Sequence, residues 1–312
     1  MKLRKLRAFQ YLQGIISRGD RKEKGVMFYN SQVEIECLGD YIKEIERLSE
    51  MNGNFFQWYR GHGDLEWKLV PKVQRGFSGN NNEELFRKER YYTNDFQSRA
   101  SILLSSKQPK IDEYASWLTL MQHYGVPTRL LDWSRSPLVA LYFAVSDKKY
   151  MEKEGCIWIL VPGKLNAIEK LEKSTHHDGK QYENTFIYNM AHNTVRTMIF
   201  TAFRRWELSE NTDAITTADK KFDHRYKSLE DKIVACYPTE ADGRVYNQQA
   251  AFTVHNSSRK LVDICNEKTL LRITIPVEVK KKLLYELEVC GITESYIYPD
   301  LEHLAKEIRE WY

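Results

Sequence analysis

The sequence lacks any apolar run long enough to cross a membrane. No stretch approaches the roughly 20 apolar residues that a spanning helix needs. The basic residues 1–7 resemble the start of a signal peptide, but residues 8–16 contain two glutamines and no small-residue cleavage pattern follows. We therefore expect a cytoplasmic protein without a membrane partner.

Paired cysteines and metal-ligand motifs are also missing. The five cysteines lie far apart, which is typical of reduced, buried thiols in a cytosolic protein. The one His/Asp cluster, His176-His177-Asp178, lies in a polar stretch, and neither His-Glu-x-x-His nor Cys-x-x-Cys occurs. We therefore expect no metal cofactor. The absence of a P-loop and of a Gly-x-Ser-x-Gly elbow argues against a P-loop NTPase and an α/β-hydrolase.

A large excess of one charge is absent as well. The 312 residues carry 47 basic and 43 acidic side chains, a net charge of +4 that is too small to indicate a nucleic-acid-binding protein. With 42% hydrophobic and 29% charged residues, the chain can build a sizeable core. Several basic residues precede the first patterned segment. We predict a basic N-terminal extension at residues 1–37, typical of a solvated end or of a contact with an acidic partner, and one domain at residues 38–312.

Hydrophobic periodicity predicts an α+β domain in which helices flank a central mixed or antiparallel sheet. Helices are predicted at residues 38–48, 83–104, 112–124, 138–145, 185–206, 277–290 and 300–311. Strands are predicted at residues 55–60, 155–161, 232–237, 249–255, 270–275 and 296–298, and a surface loop at 163–184. The continuous apolar run at 155–161 indicates a strand buried on both faces.

The spacing of apolar residues also predicts which helix faces are buried. In the first helix the inward residues are Leu38, Ile42, Ile45 and Leu48. In the last helix they are Leu301, Leu304, Ile308 and Trp311.

Polar groups within the apolar residues 121–145 form the first candidate site. Gln122, His123, Arg129 and Asp132 are scattered through a segment that is apolar enough to be buried. A buried charge costs several kcal/mol unless it is paired or faces a wet cavity. Either Arg129 pairs with Asp132 as an internal brace, or these groups line a pocket; the two interpretations are compatible.

The helix that follows begins at a potential anion site. Ser136 is a good N-cap residue, and Pro137 suits the first helical position. The free N–H groups and partial positive charge of this helix end, beside Arg129 and Arg135, would suit a phosphate.

Two further clusters combine polar side chains with apolar strands. Arg60 is followed at once by Gly61, which indicates either close backbone approach to a ligand or a turn closed by an Arg60–Asp64 pair. Residues 247–249 are adjacent amides that enter an apolar strand. Buried amides need partners, so they either join loops together or bind the hydroxyl groups of a ligand.

These clusters, in this order, resemble the FRG domain family, which is named for a Phe-Arg-Gly motif. The motif here is Tyr59-Arg60-Gly61, and the most specific match is residues 122–133 with 140–144. Further matches are Trp67-x-Leu69-x-Pro71, Arg75, residues 247–252 and the tail Tyr298-Pro299-Asp300-Leu301. The resemblance covers roughly residues 40–312 and departs from the pattern at His62, where glutamine is frequent, and at Ala250, where glycine is usual.

The layout of the family resembles that of ADP-ribosyltransferases, which implies NAD as the ligand. Arg60 would then hold the phosphates or ribose, and Tyr142 or His123 would lie at the nicotinamide side. Gln248 or Gln249 would stand where such enzymes have a glutamate. Residues 247–256 contain no carboxylate to stabilise the oxocarbenium-like transition state. Either Asp132 approaches the sugar, or the protein binds a nucleotide without turnover.

The sequence thus predicts a nucleotide-directed enzyme, either an NAD-using ADP-ribosyltransferase or an NAD glycohydrolase. The family suggests an effector in bacterial conflict or phage defence, with a protein or nucleic acid as acceptor. The alternatives are a non-catalytic nucleotide-binding module and a structural interaction protein. The expected catalytic residues are Arg60, His123, Asp132 and Gln249. The expected ligand-binding residues are Tyr59, Gly61, Tyr124, Arg129, Trp133, Ser136, Tyr142 and Gln248.

Overall fold

One mixed eight-stranded sheet organises the part of the chain that the computed structural model describes. This part is residues 28–311 without 54, 77–81, 105–107, 172–186, 193, 197, 200–230 and 239–242. The strands are β1 (Tyr29–Asn30), β2 (Trp58–His62), β3 (Leu130–Ser134), β4 (Gly155–Leu160), β5 (Tyr188–Asn189), β6 (Ile233–Tyr237), β7 (Ala250–His255) and β8 (Leu270–Ile275). Their order is β1-β8-β4-β2-β3-β7-β6-β5. The outermost pairs, β1–β8 and β5–β6, are parallel, and the inner pairs are antiparallel.

Helices cover both faces of this sheet. They are α1 (Leu38–Met51), α2 (Asn82–Leu103), α3 (Tyr114–His123), α4 (Pro137–Val145), α5 (Pro162–Ile168), α6 (Gly243–Asn247), α7 (Leu261–Ile264), α8 (Lys280–Val289), α9 (Glu294–Ile297) and α10 (Leu301–Trp311). Alternate residues of β4 contact apolar clusters on opposite faces: Ile157 packs with α1, α4 and α8, and Trp158 with α5 and α7. The predicted α+β class and the doubly buried strand at 155–161 are confirmed. In the described ranges, no helix has the length and apolarity needed to cross a membrane.

Residues 28–37 add an edge to the sheet. Tyr29 and Asn30 pair with Leu271 and Arg272 of β8, and Ile35 is buried in the core. The division into an extension of residues 1–37 and a domain of residues 38–312 stays a prediction.

Two predicted elements are wrong, and a third is confirmed only in part. Residues 296–298 belong largely to helix α9, which begins at an N-cap where the Thr293 hydroxyl accepts the N–H of Tyr296 at 3.3 Å. Residues 162–168, which overlap the start of the predicted surface loop 163–184, form helix α5. Its polar Asn166 is buried because its side chain exchanges two hydrogen bonds with the backbone of Ala235. The predicted helix 185–206 is confirmed only in part: residues 194–196 and 198–199 are helical, residues 188–189 form strand β5, and residues 185–186, 193, 197 and 200–206 lie outside the described residues.

The predicted inward faces of two helices also need correction. In α1, Ile42 is exposed and Tyr41 and Glu44 point inward instead. Glu44 is buried because it accepts hydrogen bonds from Ser31 and Arg47, so a carboxylate occupies a position that apolarity alone did not indicate. In α10 the predicted inward residues Leu301, Leu304 and Ile308 are all exposed, and the side chain of Trp311 lies outside the described residues.

Candidate functional site

The two central strands β2 and β3 diverge. In the described chain their register consists of one pair, Tyr59 with Ser134, whereas β2 pairs with β4 and β3 pairs with β7 over five residues each. From Trp133 back to Leu130, opposite Arg60 to His62, the edges of the two strands therefore face each other without a backbone ladder. A cavity opens at this point in the sheet.

The guanidinium of Arg60 spans the gap between these strands. Arg60 Nη1 donates to the backbone carbonyl of Asp132 at 2.6 Å, and Arg60 Nε donates to His62 Nε2 at 3.2 Å. The carbonyl of Arg129 accepts the N–H of His255 at the end of β7, and the N–H of Arg135 donates to the carbonyl of Gln249 just before β7, so the intervening Asp132 directs its carbonyl toward β2. Arg60 thus satisfies a carbonyl that strand pairing leaves open.

The electrostatics around Arg60 follow from its burial. Its side chain is only 15% exposed, and burial lowers the pKa of its guanidinium, which the charge of Asp132 partly offsets. Burial and the charges of Arg60 and Arg75 hold the pKa of His62 well below its usual value. His62 is therefore neutral and accepts a hydrogen bond at Nε2. The alternative in which Arg60 pairs with Asp64 is wrong, because Asp64 lies 3.7 Å from Lys153.

The carboxylate of Asp132 projects into the cavity in a fixed orientation. It is 51% exposed and lies 3.7 Å from Arg60 Nη1. Gln122 Nε2 donates to Asp132 Oδ2 at 2.7 Å, and Gln122 Oε1 accepts from the Thr128 hydroxyl at 2.6 Å. Because each end of the Gln122 amide has its own partner, the amide orients Asp132 without neutralising it.

The cavity has a volume of about 570 Å³ and carries more positive than negative charge. This size lies within the range of small-molecule sites. Its lining residues come from β2, β3, β7, α3, α4, α6 and the connections between them. The charged side chains at its wall are Arg60, Arg75, Arg244, Asp132 and Asp147, with His123 beside them.

Two of these arginines were absent from the predicted site residues. Arg75 is exposed and forms no side-chain hydrogen bond or ion pair with any described residue. Arg244 donates to the His123 carbonyl at 3.2 Å, and its guanidinium carbon lies 4.8 Å from the centre of the Tyr298 ring. The match of Arg75 to the FRG pattern could have identified Arg75 as a site residue. Nothing in the sequence near Arg244 distinguishes it from an ordinary surface arginine.

Gly61 is needed for helix packing. An added Cβ would lie 1.9 Å from the carbonyl oxygen of Ala140 and 2.7 Å from the backbone nitrogen of Ala144, both in α4. The close backbone approach that the sequence indicated at Gly61 is therefore to α4. Its backbone still contributes to the cavity wall, as do Tyr59 and Trp133.

Arg129 lies away from the cavity in a buried ion pair. Its guanidinium donates to the carboxylate of Glu89 in α2, Nη1 donates to Asn256 at 3.0 Å, and the ring of Phe86 covers it at 4.1 Å. Both charged side chains are fully buried. The predicted pairing of Arg129 with Asp132 is wrong, and so is the placement of Arg129 in an anion site.

Four other predicted residues are not among those that line the cavity. Ser136 accepts the N–H of Val139 as the N-cap of α4, and Tyr142 is buried in the core, where burial raises its pKa. Tyr124 is exposed, with its ring edge-on to His123. Gln249 has a left-handed φ of 48°, and its carbonyl accepts the N–H of Arg135 at 2.9 Å.

The amides before Gln249 join two loops. Asn247 Nδ2 donates to the carbonyl of Tyr296 at 2.8 Å, and Gln248 Nε2 donates to that of Ile297 at 3.1 Å. These bonds attach α6 to α9, which favours the loop-joining interpretation. Gln248 also lines the cavity, so of the three amides it is the one placed to contact a ligand.

A buried polar chain lies behind the cavity wall. The indole N–H of Trp133 donates to Thr253 Oγ at 3.1 Å, and Thr253 Oγ lies 3.0 Å from His255 Nε2. Burial, together with the charges of Arg259 and Arg60, lowers the pKa of His255 from 6.5 to about 3. His255 is therefore neutral in the folded protein at pH 5, where an unfolded chain would protonate it.

This shift predicts acid sensitivity. Between pH 6.5 and about 3 the unfolded state binds one more proton at His255, so stability falls as the pH falls through this window. The expected slope from this group approaches about 1.4 kcal/mol per pH unit. Urea unfolding at pH 7, 6 and 5 should show a shallower pH dependence for His255→Gln than for wild type. Equal slopes would contradict the assignment.

Comparison with known families assigns part of this region. Residues 56–153 match the family model of the FRG domain. The chain carries an FRG domain. The FRG match begins just before β2, ends before β4 and contains Arg60, Gln122 and Asp132. No curated protein and no solved structure matches the chain, so the likeness to ADP-ribosyltransferases has no support from these comparisons.

Proposed function

We propose that the cavity of the FRG domain binds a nucleotide, with NAD as the first ligand to test, and that Asp132 acts on its ribose. The observation that carries this proposal is a half-exposed, oriented carboxylate in a cavity whose wall has three arginines. A nucleotide combines phosphates, which guanidinium groups bind well, with a sugar whose glycosidic bond a carboxylate can help to break.

Arg60 and Arg75 would contribute differently to phosphate binding. Arg60 is already engaged with Asp132 and His62. Arg75 has no such partner among the described residues, and its charge contributes to lowering the pKa of Arg60. A phosphate placed between these two guanidiniums would offset their mutual repulsion and find unused donors on Arg75.

Asp132 has the charge that the proposed reaction requires. As the bond between the ribose C1′ and the nicotinamide nitrogen breaks, nicotinamide leaves with the electron pair and positive charge develops on the sugar. The carboxylate of Asp132 stabilises that charge. Water, or an acceptor hydroxyl, then forms the new bond to C1′ and loses its proton, to Asp132 or to solvent. With water the products are ADP-ribose, nicotinamide and a proton.

A second candidate is nucleotide binding without turnover. It is favoured by the two contacts that tie Asp132 to Gln122 and Arg60, since a carboxylate so restrained also suits a binding role. A role in bacterial conflict or phage defence rests on the family resemblance alone and follows only if the enzyme consumes NAD.

The experiment compares wild type with Asp132→Asn and Arg75→Gln in NAD binding and nicotinamide release. Asp132→Asn keeps an acceptor for Gln122 but removes the charge, so release should fall about 100-fold or more while NAD affinity changes little. Arg75→Gln should weaken binding by about tenfold or more.

Binding that survives in Asp132→Asn, with no release from any protein, would support the binding module. Absence of binding to NAD and to the mononucleotides AMP and GMP would contradict both candidates. Arg99→Gln, an exposed arginine of α2, serves as the matched control for Arg75→Gln.

A further inference from the structure

Helix α10 carries its apolar residues on the solvent side. Its polar side contacts α9, where Lys306 pairs with Glu294 at 2.6 Å and Glu307 accepts the N–H of Ser295 at 3.0 Å. The exposed fractions on the other side are 83% for Leu301, 45% for Leu304 and 48% for Ile308. An amphipathic helix normally buries its apolar stripe, so an exposed one indicates a contact surface.

Helix α8 presents a second exposed stripe with an ordered charge pattern. Along this stripe the exposed residues are Lys281, Lys282, Tyr285, Glu288 and Val289. Tyr285 is 66% and Val289 70% exposed. The stripe therefore has cations at its start, an aromatic ring at its middle, and a carboxylate with an apolar residue at its end.

The charge order in α8 is the reverse of what helix stability favours. Cations are favourable at a helix C-terminus and anions at the N-terminus, because of the helix dipole. Here Lys281 and Lys282 stand in the first turn, and Glu288 stands in the last. Stabilisation of α8 itself therefore does not account for this pattern.

The two stripes lie on neighbouring helices. Leu287 of α8 and Ile297 of α9 pack in one apolar cluster, and α9 contacts α10 through Lys306 and Glu307, so α9 joins the two helices. Burial and the nearby charges of Glu307 and Glu310 raise the pKa of Glu288, in agreement with this placement. The acidic groups at this junction repel one another. Cations supplied from outside would relieve that repulsion.

We propose that the α8 and α10 stripes bind a second copy of the chain, with the two α8 helices antiparallel across a two-fold axis near Tyr285. In this arrangement Lys281 and Lys282 of each copy face Glu288 of the other, so the surface is self-complementary, as a two-fold interface requires. The exposed apolar residues of both stripes supply the affinity, and the charges set the orientation. This inference is independent of the proposed nucleotide.

The first test measures self-association by sedimentation equilibrium over a concentration series. Wild type should reach twice the monomer mass. Leu304→Glu and Ile308→Glu should each weaken association roughly a hundredfold, because they place a charge in the apolar contact. Ile111→Glu, at another exposed isoleucine, is the matched control and should dimerise as wild type does.

The second test uses charge reversal. A variant with Lys281→Glu and Lys282→Glu, and a variant with Glu288→Lys and Glu310→Lys, should each be monomeric alone and should dimerise when mixed. Circular dichroism of each variant checks that these surface changes leave the fold intact.

Three outcomes would overturn the proposal. They are a wild type that is monomeric at every concentration, a dimer that the apolar and charge-reversal variants leave unchanged, and a monomer that instead binds a synthetic Lys/Leu amphipathic peptide at this face. The last would assign the face to a basic partner.

Discussion

Glu89→Ala is expected to lower the free energy of unfolding by about 3–5 kcal/mol, since it leaves a fully buried guanidinium without its counter-ion. The carboxylate of Glu89 accepts hydrogen bonds from the side chain of Arg129 and, at 2.5 Å, from the backbone N–H of Arg129. This pair joins α2 to the start of β3, and Asn256 extends it to the end of β7. Urea unfolding followed by tryptophan fluorescence measures the change.

Helix α2 also offers the matched control. Asp95 and Arg99 form an exposed pair one helical turn apart, and Asp95→Ala should change stability by less than about 1 kcal/mol. The double variant Glu89→Leu with Arg129→Met should recover much of the loss, because paired buried charges can be replaced by apolar groups of similar size. A loss below 1 kcal/mol for Glu89→Ala would contradict the buried-pair assignment.

Gly61→Ala is expected to destabilise the protein by about 3 kcal/mol or more, because one methyl group cannot fit between β2 and α4. The atoms that the new Cβ would meet belong to the backbone of α4, so no side-chain rotation can relieve the overlap. The helix must shift as a unit, and with it the cavity wall at Ala140 and Phe143. Thermal unfolding and ligand binding should therefore deteriorate together.

Gly39→Ala is the control for this substitution. Gly39 is the second residue of α1, where an added Cβ meets only the sulfur of Cys37 at an ordinary 3.5 Å. Alanine is favoured over glycine in a helix interior by roughly 0.5–1 kcal/mol and by less in the first turn, so this variant should be as stable as wild type or slightly more stable. If Gly61→Ala behaved like Gly39→Ala, close packing of β2 on α4 would be refuted.

Strand β4 was predictable because a strand buried on both faces must be apolar throughout, and residues 155–160 show this directly. The buried face of α10 was not predictable. The spacing of its apolar residues is typical of a helix that buries them, but polar contacts with α9 decide its orientation. Helix α9 was missed because four residues are too few to establish a period, and the Thr293 cap determines the outcome.

The placement of Arg60 and Asp132 in one site followed from the motif resemblance, but their direct contact did not, since the partners considered for them were Asp64 and Arg129. The pairing of Arg129 with Glu89 did not follow, because 40 residues separate them and a glutamate in a polar helix gives no sign that it is buried. The position of Arg244 depends on how α6 attaches to α9, which is set by the amides of Asn247 and Gln248. Contacts between residues so far apart in the chain produce no local sequence pattern from which they could be predicted.

The hydrogen bond from Arg60 to the carbonyl of Asp132 couples ligand affinity to the contact between strands β2 and β3. A ligand that pulls the guanidinium of Arg60 away from this carbonyl leaves the carbonyl oxygen without a hydrogen bond between β2 and β3. The lost hydrogen bond lowers the net free energy of ligand binding. Substitutions at Arg60 therefore change two properties at once. Arg75 belongs to neither strand and forms no hydrogen bond with them among the described residues, so a substitution there tests recognition while the bond from Arg60 to Asp132 stays in place.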